Sequence, residues 1–377
     1  MVGRPRLVRP ARLLLGFSLG ALLTVLVVWS RDQWLAPAAG GQARPGPARG
    51  EHPPRTRAPR TVLYWNTFYD AADFYVGFGD KPFRGCPYSN CITTNNRSLS
   101  SRADAVVVHM LNPVDPLPRP RPPHQRFVFF LKEPPTLSYL PYAPYRDVFN
   151  LTMTYRLDSD VVNGYYQLLP GPERTPLPPL ETRSRAVAWL VSHCDTTSGR
   201  ELYVDLLEEF LPVDIYGACG PNRCPTGAHQ NREECYRLVA QHYYFYLSFE
   251  NAQCSDYVTE KLALALQYGM VPVVLGPSRA NYERVAPPGS FLHIDDFAGP
   301  QQLAEHLNYL ISNSTAYREL FRWREHFHVA GSAGWCELCR YLHEPHAPQY
   351  YADIGQWWIA EGRCSIQPVV PEPNYLS

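Results

Sequence analysis

FYLSFENAQCSDYVTEKLALALQYGMVPVVLG, residues 245–276, holds a β-rich run, a polar knot, a helix-forming run and a second β-rich run. The first run closes on Glu250 and Asn251. Asp256 is the expected N-cap of a helix whose apolar face includes Val258, Leu262, Ala265 and Leu266. Glu260 and Lys261 then fall in the first helical turn, beside the carboxyl end of the preceding strand. That edge is where open α/β sheets bind ligands. A lysine at this position opposes the positive end of the helix dipole unless an anion sits nearby. Lysine, free helix N–H groups and the dipole together suit a diphosphate, and the adjacent carboxylate can accept hydrogen bonds from ribose hydroxyls. The same pair also fits an ordinary solvated helix start, and spacing does not decide between the two.

Outward from this unit the chain alternates strand and helix. RTVLYWN (60–66), ADAVVVHM (103–110) and QRFVFFLKE (125–133) read as buried strands of a first sheet. The proline-heavy 168–184 marks a domain boundary. After it come RAVAWLVSH (185–193), a helix over 200–211, VDIYG, YYFYLSFE, the unit already described, VPVVLG, FLHIDDF and two amphipathic helices through about Phe327. Such alternation predicts a parallel sheet with helices on both faces, and two such domains enclose a cleft.

Both ends of the chain constrain its setting. The uncharged apolar run at 13–29 follows Arg4, Arg6, Arg9 and Arg12, which predicts a signal anchor with a cytosolic N-terminus. A cleaved signal peptide is the alternative, but no small-residue cleavage site follows Trp29. Residues 31–59 have no hydrophobic period and read as a disordered stem. Three sequons, at Asn96, Asn150 and Asn313, and 10 cysteines suit an oxidising lumen. Lys plus Arg and Asp plus Glu both total 35, so nothing in the charge points to nucleic acid. Cys336-Glu-Leu-Cys339 lacks both the βαβ context of a redox motif and the second pair of a zinc site, so a structural disulfide role is preferred.

FYLSFENAQCSDYVTEKL followed by GMVPVVLGPSRANYE resembles the signature of the α1,3-fucosyltransferases, glycosyltransferase family 10. FNLTMTYRLDSDV (149–161), AWLVSHC, VDIYG, the CELC pair and the anchor-plus-stem layout resemble the same family, over about residues 61–358. The resemblance implies an α/β fold of GT-B type. It also implies an inverting, Golgi type II transferase that moves fucose from a GDP-fucose donor to O3 of GlcNAc in a glycan acceptor. The expected organisation is a cytosolic tail (1–12), an anchor in the Golgi membrane (13–30), the stem, an acceptor-side domain (60–180), a GDP-fucose domain (181–345) and a tail (346–377) that packs back or is partly disordered. Core and peripheral GlcNAc both fit as acceptor. Oligomeric state is open, a homodimer included.

By motif position, the resemblance puts Asn251, Tyr257, Glu260 and Lys261 on the nucleotide sugar, Glu260 at the ribose and Lys261 at the phosphate. Arg200 matches the family arginine that neutralises the diphosphate. Inversion requires a base for the acceptor hydroxyl and charge stabilisation for departing GDP. Glu133, ending a strand before Pro134 and Pro135, is the expected base. The family reads Glu-Ser-Pro there. Cys86 and Cys91 are expected to bridge to Cys336 and Cys339, a closure worth about 4 kcal/mol in the chain-entropy model. Pairing among Cys194, Cys219, Cys224, Cys235, Cys254 and Cys364 stays open.

Asp158-Ser-Asp160 has the DxD form used by metal-dependent transferases of the other architecture. In this family the segment has no metal role, so no cofactor is expected to be required, weak divalent-metal stimulation aside. Vertebrate members read VVSN where this chain has Leu190 to His193, and a PYG-type segment where it has VVNGYY. The spacing of Cys219, Cys224, Cys235 and Cys254 is closer to invertebrate members. Two other classes stay in view: a metal-dependent GT-A transferase built on DSD, and a glycan-binding membrane protein without catalysis.

Overall fold

The computed structural model describes residues 58–111, 116–138, 140–224 and 232–365. The expected cytosolic tail and anchor, nearly all of the stem and positions 366–377 lie outside them. Among the described residues no helix is long and apolar enough to cross a membrane.

The first sheet is built from β1 (Arg60–Tyr64), β2 (Cys91–Thr94), β3 (Ala105–His109), β4 (Arg126–Leu131), β5 (Leu151–Thr154) and β6 (Val161–Val162). All are parallel, in the order β2-β1-β3-β4-β5-β6. AVVVH and RFVFFL take the centre because β-branched and aromatic side chains pack on both faces of a covered parallel sheet. β7 (Tyr166–Pro170) then leads to the second sheet.

That sheet is a fuller alternation: β8 (Arg185–Leu190), α1 (Arg200–Glu208), β9 (Val213–Tyr216), α2 (Arg232–His242), β10 (Tyr243–Phe249), α3 (Glu260–Tyr268), β11 (Val271–Leu275), α4 (Arg279–Val285) and β12 (Leu292–His293). Its strands are parallel in the order β12-β11-β10-β8-β9. Then follow α5 (Pro300–Ser312), α6 (Ser314–Glu319), β13 (Phe327–Gly331), which pairs antiparallel with β7, and α7 (Gly334–His343). Both faces are covered as expected. Val187, Trp189, Phe245 and Leu247 pack with α1 and α5 residues such as Leu207 and Leu307, whereas Ala188 and Tyr246 meet Val239 of α2 and Ala265 of α3.

The first sheet departs from the expected alternation. Among the described residues its connections contain 3₁₀ turns but no α-helix. Pro134, Pro135, Pro141 and Pro144 explain this after β4, since each removes a helix hydrogen bond. Cover comes from far along the chain. Phe127, Phe129 and Leu131 of β4 pack on Ile354, Trp357 and Trp358, and Val128 and Phe130 belong to the cluster holding Leu338, Cys339 and Tyr341 of α7. Each fully buried side chain of this size contributes roughly 1.5–3 kcal/mol. The segment 346–365 therefore packs back, and α7, though it follows the second sheet, serves the first.

Cys86–Cys336 and Cys91–Cys339 fasten α7 to the loop before β2 and to β2 itself. The CELC cysteines thus each pair with a distant cysteine and form neither a dithiol nor half a zinc site. The remaining pairs are Cys194–Cys219, Cys224–Cys235 and Cys254–Cys364. Of the sequon asparagines, Asn96 is exposed and Asn313 caps α6 through Ala316 N–H. Asn150 is buried at the start of β5, with its Nδ2 donating to the Gln349 carbonyl at 2.8 Å and its Oδ1 accepting from Phe127 N–H at 2.9 Å.

Candidate active site

In the second sheet the strand order reverses between β8 and β10, and a crevice opens beyond their carboxyl ends, as the topology of open parallel sheets requires. Residues following β1 and β4 of the first sheet line the same crevice. Its volume is about 820 Å³, and Glu133, Arg200, Asn251, Tyr257, Glu260 and Lys261 all line it.

The polar knot between β10 and α3 is organised by Glu250, which is fully buried. One carboxylate oxygen accepts from Thr259 N–H at 2.8 Å, and the other accepts from Thr259 Oγ1 at 2.9 Å and from Lys261 Nζ at 2.8 Å. Thr259, in extended conformation, is the N-cap of α3. This corrects the expectation for Asp256, which has φ 64° and lies too early to cap the helix. Its carboxylate instead accepts from Leu157 N–H at 3.0 Å and pairs with Arg284. Lys261 is not a solvated helix start either. Burial alone would pull its ammonium pKa down, but Glu250 at 2.8 Å and Glu260 at 3.9 Å more than offset this and hold it above the usual lysine value. The anion that makes a lysine tolerable at a positive helix end is supplied by the protein.

Arg200 opens α1 from a left-handed Gly199 and is 2% exposed. Its guanidinium donates to the Phe249 carbonyl at 2.9 Å, the His193 carbonyl at 2.7 Å and Glu201 at 3.0 Å, so it is clamped across the ends of β8 and β10. Among the described residues the buried Oδ1 of Asn251, a residue that lines the cleft, has no hydrogen-bond partner. Gly217, after β9, has φ +102° and leaves no room for a side chain, since a Cβ would lie 2.3 Å from the Val191 carbonyl oxygen. The backbone therefore closes tightly on this side of the cleft, beside His193.

On the opposite wall, Glu133 follows β4 and is half-buried. Tyr69 Oη donates to its Oε1 at 2.5 Å, and Tyr257 Oη donates to its Oε2 at 3.5 Å. Burial pushes both phenols well above their usual pKa, with Glu133 adding to the effect, so both remain donors. Lys132, which also lines the cleft, is held by the backbone after β6. Its Nζ donates to the Asn163 and Gly164 carbonyls at 2.6 and 2.8 Å and lies 4.4 Å from the centre of the Tyr165 ring. Burial draws this ammonium down to about 7, with Glu260 acting against the shift.

The DSD carboxylates are engaged elsewhere. Asp158 pairs with Arg156 at 2.5 Å, and Asp160 accepts from Thr152 N–H at 2.8 Å and from Tyr351 Oη at 2.9 Å. Both therefore serve the fold around β5. Asp295 and Asp296 close a 3₁₀ turn after β12. Sequence reasoning did not single out Glu250, Tyr69 or His109 as part of the site. For Glu250 the signal was present: a carboxylate following a largely apolar, aromatic strand, eleven positions before a lysine that needs an anion. For Tyr69 and His109 there was none, because an aromatic-rich loop reads equally well as packing.

Two family models match the chain: Fucosyltransferase, N-terminal, over residues 57–166, and Glycosyltransferase family 10 (fucosyltransferase) C-term, over residues 180–357. Alpha-(1,3)-fucosyltransferase C of Drosophila melanogaster is 35% identical over 355 residues, covering 85% of this chain and 82% of that protein. The human 3-galactosyl-N-acetylglucosaminide 4-alpha-L-fucosyltransferase FUT3 is 38% identical over 282 residues, covering 72% and 75%. A crystal structure of an α1,3-fucosyltransferase with GDP-fucose superposes with a TM-score of 0.53 at 15% identity, covering 80% of this chain and 96% of that one, a likeness of fold. With its two facing parallel sheets and with both halves matched, the chain belongs to glycosyltransferase family 10, the fucosyltransferases.

Proposed function

We propose that the protein transfers L-fucose from GDP-fucose, with inversion and without a required metal, to O3 of a GlcNAc residue in a glycan, as an enzyme anchored in the Golgi membrane with its body in the lumen. The observation that carries this reading is that one cleft is lined by a carboxylate from the first sheet, Glu133, and by two fixed cationic side chains from the second, Arg200 and Lys261. An inverting displacement needs that arrangement. The base withdraws the acceptor proton on one face of the fucose while the diphosphate departs from the other, and the fixed cations stabilise the charge it gains. Arg200 is preorganised by three hydrogen bonds, so little reorganisation accompanies charge development. Asn251 Oδ1 and Glu260 supply acceptors for donor hydroxyls. The name of the Drosophila relative supports α1,3-fucosyl transfer, those of several vertebrate relatives support an N-acetylglucosaminide acceptor, and the sequence of residues 1–30 supports the membrane setting.

The test uses the full chain purified in detergent, GDP-fucose and a panel of N-glycans with and without terminal N-acetyllactosamine, with and without EDTA, and product mass and linkage by mass spectrometry. A gain of one deoxyhexose at O3 of GlcNAc in EDTA is expected. Transfer abolished by EDTA and restored by Mn²⁺ would reject the metal-independent mechanism, and absence of transfer to every glycan despite GDP binding would reject the enzymatic reading for this acceptor class.

A further inference from the structure

The loop after β1 carries an arrangement that packing alone does not require. Tyr69, Phe74 and Tyr75 have φ values of 52°, 58° and 59°, a left-handed conformation that large side chains rarely adopt and that is maintained where the surroundings enforce it. The enforcing contacts are visible. Phe68 and Ala71 exchange backbone hydrogen bonds at 3.0 Å each, closing a turn with Tyr69 and Asp70 at its tip. The Thr67 carbonyl of that turn accepts from His109 Nδ1 at 3.0 Å. His109 is fully buried, and burial draws its imidazole down to about 4, so it is neutral with its proton on Nδ1. Asn66 in turn brackets the His109 backbone, accepting from its N–H at 2.8 Å and donating to its carbonyl at 2.7 Å. Thr67 Oγ1 also donates to the Tyr69 carbonyl at 2.5 Å, and the chain of contacts carries the Tyr69 hydroxyl onto Glu133 Oε1.

We propose that Tyr69 is a positioning residue for the base: its hydroxyl occupies one oxygen of Glu133, so that the other, Oε2, which faces Tyr257 and the donor wall, receives the acceptor proton. The inference rests on Glu133 as the base. In the step, the acceptor O–H proton passes to Oε2, and the oxygen's electron pair forms the bond to the anomeric carbon. The bond from that carbon to the diphosphate breaks, and its pair leaves with GDP. Tyr257, at 3.5 Å, is too distant to hold Oε2 against an incoming hydroxyl. Donation from Tyr69 fixes which carboxylate oxygen stays open to the acceptor, so the hydroxyl governs the geometry of proton removal. The other groups that feel the charge of Glu133 are Tyr155 and Tyr165 from the first-sheet side and Tyr257 from the segment before α3, and Glu260 acts on Tyr69, Tyr165 and Tyr257 as well. Lys132, its chain neighbour, is bound to the Asn163 and Gly164 carbonyls and lies near enough to Glu260 to feel its charge.

The test is kcat and kcat/KM against pH for the full chain and for Tyr69→Phe and Glu133→Gln, with GDP affinity by calorimetry as the check on a folded cleft. Tyr69→Phe keeps the ring contacts with Phe68 and His109, at 4.8 and 5.6 Å between centroids, and removes only the hydroxyl. The expected result is unchanged GDP affinity, an acceptor KM close to the parent's and kcat lowered about tenfold. A Tyr69→Phe profile that superposes on the parent's would overturn the positioning role and leave Tyr69 as packing. A variant faster than the parent at every pH would overturn it in favour of a blocking hydroxyl. Loss of transfer in Glu133→Gln with either of those results rejects this inference alone. Parent-like turnover in Glu133→Gln rejects the base and the inference together.

Discussion

Replacing Lys261 with methionine strands the buried Glu250 carboxylate. Lys261 Nζ at 2.8 Å is its sole charge partner within ion-pair distance among the described residues, and Glu250 is fully buried. Thr259 continues to donate twice, so the carboxylate keeps two of its three hydrogen bonds but loses its counter-ion. Breaking a buried pair in this way costs about 3–5 kcal/mol. For roughly 300 ordered residues the unfolding entropy near 60 °C is about 0.6 kcal/mol/K, so Tm should fall by about 5–8 °C. The loss depends on pH with a definite sign. Burial pushes the Glu250 pKa up and Lys261 is the principal group opposing it, so without the lysine the carboxylate takes up a proton more readily. The deficit is therefore larger at pH 8 than at pH 5. The double variant Lys261→Met, Glu250→Gln removes the stranded charge and should recover part of the stability. The assay is thermal unfolding by circular dichroism at both pH values, as a double-mutant cycle. A single variant within 1 °C of the parent, or a double variant no more stable than Lys261→Met, refutes the ion pair as the anchor of the knot.

Arg200→Lys should weaken GDP binding by about tenfold or more by calorimetry while the fold persists, because an ammonium cannot span the Phe249 and His193 carbonyls and Glu201 together. Equal affinity would remove the guanidinium geometry from the account. His109, held neutral by burial, contributes stability that is present above its unfolded pKa near 6.5 and is lost as pH falls toward 4, by up to about 3 kcal/mol. Denaturant titrations across that range should show the loss in the parent and a flatter dependence in His109→Leu. Identical slopes would contradict the assignment.

The second sheet was legible because its strands are short apolar runs punctuated by amphipathic helices, each signal local to the segment that produces it. The edge that lines the cleft followed from the same reading, since the knot sits directly after β10. What the sequence withheld is non-local. β2 and β6 are too short to register as runs, and α2 is a polar helix with a weak apolar stripe. Asp256 looked like a cap because a carboxylate before an apolar run usually is one, yet Thr259, next to the helix start, takes the role. Glu250 and Tyr69 act through partners that only folding brings near, eleven residues away for Lys261 and sixty-four for Glu133.

The late segments that cover the first sheet have a consequence for biosynthesis. Strands β1 to β6 leave the ribosome complete by residue 162, while their coverings, α7 and the 354–358 aromatic group, follow nearly two hundred residues later. At about 5–20 residues per second that interval lasts on the order of 10–40 s. During it, Val128, Phe129 and Phe130 lack their final neighbours, and Cys86 and Cys91 wait as thiols while Cys194, Cys219, Cys224, Cys235 and Cys254 emerge as competing partners. Folding yield of this chain should therefore be governed by chaperone and disulfide-isomerase capacity acting on the exposed N-terminal half, and a stop codon a few dozen residues early would uncover the first sheet rather than trim the last.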